Sequence, residues 1–324
     1  MSDENRTQAQ AQTQAQSRET TSTSTDSTNT STGTSSTNTS TNTNTNTNTS
    51  TTTHPRTKHI LKTIIARELR TVARTRTFYV LALAIAAVVL GVAWTGGGIR
   101  AGYVPTAVDL LTPLELLVPV VAVAFGYRAV LADEQRGELD VLETYPVSNR
   151  SIVLGVYVGR LIGLLVAIVV PLVLVAVAVA VAEEDRILIY ASHAGVDSPL
   201  LFARFVVLTA LFAMTVLAVA IAISAAVSAT RGALALAVVA LVVLLVGLDL
   251  LLVYGFTSGL IGDGALVHSL ALSPLSAFRG LVFDTVVVVA AGTGPTVASP
   301  LASLFGLVGW TVGSLALASW LLNR

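Results

Sequence analysis

Cysteine is absent from all 324 residues, which excludes disulfides and thiolate metal sites. Lysine is nearly absent: Lys58 and Lys62 are its only occurrences, so almost all positive charge is arginine. A phosphate-binding Gly-x-x-x-x-Gly-Lys-Ser/Thr loop needs its lysine on the phosphates, and no lysine follows position 62, so this chain does not hydrolyse ATP by that route. The four histidines, at 54, 59, 193 and 268, have no metal-ligand spacing. Neither a His-Glu-x-x-His pair nor a Gly-x-Ser-x-Gly elbow occurs, which argues against zinc-protease and serine-hydrolase chemistry. Charge is scarce as well, at 12% of residues against 53% hydrophobic, with a mean hydropathy of +0.75. That composition is too apolar for an ordinary soluble domain and indicates an integral membrane protein. No catalytic residue, metal ligand or nucleic-acid partner is expected.

Residues 1–57 are Thr, Ser, Asn and Gln with almost nothing to bury, and are expected to be disordered. They lack the apolar stretch of a secretory signal, so no cleavage is expected. From 58 to 77 the pattern becomes helical. Ile60, Leu61, Ile64, Ile65, Leu69, Val72 and Ala73 fall on one side, with Lys62, Arg67, Glu68, Arg70 and Arg74 on the other, which predicts an amphipathic helix lying in the membrane interface. The remainder, 78–324, reads as an all-α, six-span membrane domain with runs at 78–95, 111–131, 152–182, 200–229, 233–254 and 301–322. Pro171 marks a possible kink in the third. Residues 255–300, rich in Gly and Pro, are read as an external segment with one or two short helices lying at or dipping into the outer face.

Orientation follows from arginine and lysine. Arg56, Lys58, Lys62, Arg67, Arg70, Arg74 and Arg76 precede the first span; Arg128, Arg136, Arg150, Arg231 and Arg324 fall on the same side by alternation. Only Arg100, Arg186, Arg204 and Arg279 fall opposite, so both termini and the loop at 133–151 are expected in the cytoplasm, in the plasma membrane of a prokaryote. That loop is an island of charge between two apolar runs. Glu134, Arg136 and Glu138 cannot sit unpaired in hydrocarbon, Leu139 and Leu142 give a short helix one apolar side, and Pro146 ends it. The pattern suits contact with a soluble partner and equally an ordinary solvated loop.

Within the spans, Glu115, Arg160 and Asp249 would each cost about 2.5 to 3.5 kcal/mol at the bilayer centre if unpaired, so they are candidates for a substrate path or for the membrane border. Arg160 is expected to reach back towards the cytoplasmic interface. Gly155, Gly159 and Gly163 repeat every four residues, leaving a flat stripe for close helix packing, within the subunit or across a dimer.

Glu134-x-x-Gly137-x-Leu139, then Leu142, Pro146-Val147-Ser148 with Arg150, Val153-Leu154-Gly155 and Gly159-Arg160 resemble the cytoplasmic loop of type-2 ABC transporter permeases. The branch that contains the permease of nitrous-oxide-reductase maturation is the nearest likeness. Glu68-Leu69 with Arg74-x-Arg76-x-Phe78 resembles the helix that precedes the first span in these proteins. Leu272-Ser273-Pro274 through Phe278-Arg279 resembles their Asn-Pro-x-x-x-Phe-Arg element, with Ser273 in place of Asn. Other departures are Glu138 for Thr, Asn149 for Arg and Val156 for Lys. The resemblance implies a permease subunit of an ATP-driven exporter. The loop at 133–151 would carry a coupling helix, with Glu134, Arg136, Gly137, Glu138, Leu139, Leu142 and Pro146 at the contact with a separate ATPase subunit. ATP and Mg would then sit on that partner, and a second permease copy or a homologue would complete the pore. An ion-driven secondary transporter and a non-transporting scaffold are the alternatives, and membrane lipid is a partner in every case.

Overall fold

A computed structural model describes residues 55–131, 149–182, 197–260, 262–292, 294 and 298–322, and among these every regular element is helical. Helix α1, Pro55–Arg74, is the amphipathic segment, and it begins and ends three residues before the expected 58–77. Thr75 turns extended and separates it from α2, Arg76–Thr95. Gly97 in the left-handed region ends that connection, a single turn α3 at Gly98–Ala101 follows, and Gly102, at φ 122°, opens α4, Tyr103–Gly126. Then come α5, Asn149–Val181, unbroken through Pro171, and α6, Pro199–Ala225. Helix α7 runs Thr230–Thr257 and contains a wide π turn at Val243–Gly247. After α8, Asp263–Ser269, come α9, Pro274–Ala291, with a second π turn at Phe283–Val287, and α10, Pro300–Leu321.

Helices α2, α4–α7, α9 and α10 are each long and apolar enough to cross a membrane. Helix α6 forms the centre, with 61% of its most apolar stretch buried, against 11% for α7 at the rim. Phe202, Phe205 and Phe212 of α6 are all but fully enclosed. Phe212 stacks on Phe278 of α9 with ring centroids 4.8 Å apart and planes 6° from parallel.

The six expected runs correspond to α2, α4, α5, α6, α7 and α10, with α4 beginning eight residues before the expected 111. A seventh helix long and apolar enough to cross is α9, which lies in the segment expected to hold one or two short helices at the outer face. Its polar residues, Ser276, Arg279 and Asp284, hide it in the sequence; each has a protein partner in the fold. Helix α9 packs antiparallel to α10. The carbonyl of Leu272, just before α9, accepts from Trp310 Nε1, ten residues into α10, at 3.0 Å. Asp284 then reaches the backbone N–H of Ala298, just before α10, at 2.9 Å. Helix α9 therefore starts at the mid-length of α10 and climbs to the level of its beginning.

The tail at 1–54 and the residues Glu134, Arg136, Gly137, Glu138, Leu139, Leu142 and Pro146 lie outside the described residues. The helices that flank 132–148 are described, and so are the charged residues of the spans.

Candidate functional site

The charged spots inside the helical bundle share one feature: each joins separate helices. The first gathers on the opening turn of α9. Ser273 is extended and caps the helix, with Pro274 following as a residue already suited to the first helical position. Its hydroxyl donates to Asp249 Oδ1 at 2.6 Å, and the Ser276 hydroxyl donates to the same oxygen at 2.8 Å. Asp249 thus lies against the N-terminus of α9, where the exposed amides favour negative charge. It reaches there from α7 two residues beyond the π turn, whose extra residue shifts the helical register just before the acid.

One turn further along α9, Arg279 turns to the opposite neighbour. Its Nε donates to Glu115 Oε1 at 2.7 Å and its Nη2 to Glu115 Oε2, a two-point contact between α9 and α4. The Glu115 side chain is 6% exposed, whereas 48% of Arg279 remains open. Glu115 and Asp249, which the sequence leaves as separate acids, both hold the Ser273–Arg279 element. Arg279 is the residue that sequence reasoning missed, although it stands in the very motif that carries the family resemblance.

The second spot lies near the ends that flank 132–148. Arg160 of α5 makes an ion pair with Glu68 of α1 at 3.4 Å and donates through Nη1 to the carbonyl oxygen of Phe125 in α4 at 2.5 Å. One guanidinium therefore joins three helices. Its side chain is 16% exposed and packs beneath α1, the helix expected to lie in the interface. Glu68 also departs from expectation. It is 2% exposed, on the buried stripe between Ile64 and Val72, rather than on the basic face. The glycine stripe explains the close approach. A methyl group on Gly159 would fall 2.4 Å from Glu68 Cβ, and one on Gly163 would fall 2.8 Å from Val72 Cγ1. These two glycines seat α1 within the subunit, and Gly155 is buried on the same helix.

Two polar ties join α4 to α6. At their starts, Asp197 accepts from the backbone N–H groups of Tyr103 and Val104, both at 2.9 Å. Gly102 gives the carboxylate room, since a Cβ there would stand 2.3 Å from Asp197 Oδ2. At the other end, the buried hydroxyl of Ser224 accepts from the N–H groups of Val130 and Leu131 at 3.0 and 3.1 Å. That contact sits immediately before residue 132, and no sequence pattern announces it, because a lone serine in an apolar run has no readable partner. Among the described residues no cluster of His, Asp or Glu could hold a metal.

Comparison with known proteins agrees on one family. The profile described as ABC-2 family transporter protein matches residues 2–324. A stretch of 105 residues is 32% identical to the "Probable ABC transporter permease protein NosY" of Pseudomonas aeruginosa, spanning 31% of this chain and 38% of that protein. The protein of the same name from Stutzerimonas stutzeri is 31% identical over 101 residues, 30% of this chain and 37% of its own length. The chain thus covers less than two fifths of the length of either relative.

Proposed function

Since the chain belongs to the ABC-2 transporter family and is the membrane subunit of an ABC transporter, we propose that residues 133–151 dock on a separate ATPase subunit and drive an export cycle. ATP and Mg would be held by that partner. Closure of two ATPase subunits would push the docking loops of two permease copies, and the helices would switch between packed arrangements. The observation that carries this reading is how the described ends of the loop are fastened. Ser224 ties Val130 and Leu131 to α6, and Arg160 ties α5 to α1 and α4, so a push on 132–148 would be delivered to four helices rather than absorbed by a slack connection.

In this reading α8 and α9 form a hairpin that enters and leaves on one face, leaving six crossings and both chain ends in the cytoplasm with most of the arginine. The half-open Arg279 would border the substrate path, because a guanidinium facing hydrocarbon is costly and one facing a polar path is not. Glu115 is engaged with Arg279 and Asp249 with two hydroxyls, so neither of these two acids stands free as the exchanging carboxylate of an ion-driven transporter would.

The test is co-purification with an ATPase encoded beside this chain, comparing the natural sequence with Glu134→Ala and Gly137→Pro. Recovery of a complex that both changes weaken, while the permease stays folded in detergent, is expected. Binding that neither change affects would move the contact elsewhere, and no complex at all would remove the mechanism.

A further inference from the structure

A cavity of about 400 Å³ opens where α1, α2 and α4 meet. Its inner walls are apolar, formed by Phe78, Leu81, Ala124 and Phe125, and the Phe78 and Phe125 rings brace each other edge to face with centroids 5.8 Å apart. Its polar lining is cationic or hydroxylic. Arg160, Arg128, Thr75 and Thr77 line it, Arg128 being exposed, and among the described residues no acid lines the space. Arg160 is already engaged by Glu68 and the Phe125 carbonyl. Arg128 has no hydrogen bond or ion pair among the described residues. A second concavity of about 510 Å³ adjoins the first at Thr71 and is bordered by Lys62, Arg67, Arg70 and Arg74 of α1.

We propose that this cavity binds one anionic phospholipid from the leaflet beside α1, with its phosphate on Arg128 and an acyl chain along Phe78, Leu81 and Ala124. Arg128 stands two residues past the end of α4, while Leu81 lies five residues into α2, roughly 7.5 Å along that helix from Arg76 at 1.5 Å per residue. A head that is anionic and a tail that is apolar match both halves of the lining, whereas a free phosphate leaves the phenylalanine wall uncovered. The cationic edge of α1 supplies attraction to an anionic leaflet in addition to the single contact. The inference uses only the membrane location of the helices and is independent of the proposed ATPase contact.

Native mass spectrometry of the full chain in detergent, titrated with phosphatidylglycerol, phosphatidylcholine or glycerol phosphate, tests it. Phosphatidylglycerol is expected to bind with one site at least tenfold tighter than phosphatidylcholine, and glycerol phosphate is expected not to bind. Arg128→Gln should weaken phosphatidylglycerol about tenfold, in line with the loss of one charge-assisted hydrogen bond. Leu81→Trp should fill the cavity and exclude the lipid without removing any charge, and Arg231→Gln should change nothing. Equal binding of the two phospholipids, undiminished affinity in both Arg128→Gln and Leu81→Trp, or equal binding of glycerol phosphate would overturn the proposal. So would blocking of the cavity by a protein partner that lipid does not displace.

Discussion

Glu115 and Arg279 are 164 positions apart in the chain and meet through two hydrogen bonds, with Nε to Oε1 at 2.7 Å. The carboxylate is enclosed and the guanidinium is half open, so the two ends of the pair are not equivalent. Removing the arginine strands a buried charge. Arg279→Gln is therefore expected to destabilise by about 3 kcal/mol, the low end for breaking a buried pair because the arginine is partly exposed. The double variant Glu115→Gln with Arg279→Gln should recover most of that loss. Thermal unfolding in detergent reads both; a double variant no better than the single would show that the pair is not what holds α4 to α9.

Ser273 is a helix cap and also a donor to Asp249. Ser273→Ala is expected to cost about 1 kcal/mol, the usual loss for a missing cap. Ser273→Asn, which restores a capping oxygen and a donor, should stay within about 0.5 kcal/mol of the natural sequence. A larger loss with Asn than with Ala would mean that space, and not capping, governs this position.

Gly159 sets how near α1 can lie to α5. A valine there would collide with Glu68 Cβ, and overpacking of this kind costs about 1 to 3 kcal/mol. Because α1 must lift, hydrogen exchange of its backbone should quicken in Gly159→Val. Glu68→Gln, which keeps the shape and drops the charge, should loosen α1 less. Unchanged exchange in Gly159→Val would refute the seating of α1 on the glycine stripe.

Ser224→Ala leaves the N–H groups of Val130 and Leu131 without their acceptor, a penalty of about 1 to 3 kcal/mol for buried donors. If that contact passes loop motion to α6, the variant should still bind the proposed ATPase but stimulate ATP turnover less. Ser224→Thr should behave as the natural protein. Full stimulation in Ser224→Ala would detach the contact from coupling.

What could be read from the sequence was what repeats along one helix. Unbroken apolar runs fix α2, α5, α6, α7 and α10 to within a few residues, and alternation of basic and apolar residues fixes α1. The failures come from charges whose partners lie far away. Glu68 stands four residues from both Ile64 and Val72 on the buried stripe of α1, and its partner Arg160 lies on α5, beyond the reach of any pattern within α1. Arg279 and Asp284 make α9 read as a short helix at or dipping into the outer face, because a hydropathy window cannot know that Glu115 and the Ala298 amide await them. The family likeness of Ser273 to Arg279 marks that element without saying that two acids from α4 and α7 hold it.

The paired ties between α4 and α6 have a mechanical consequence. Asp197 fastens the two helices where they begin, and Ser224 fastens them where they end, so neither can slide or splay without breaking two backbone contacts at once. They form a plank. A torque applied at one end would arrive at the other with little lost to bending, and the thinly packed α7 lies outside these fastenings.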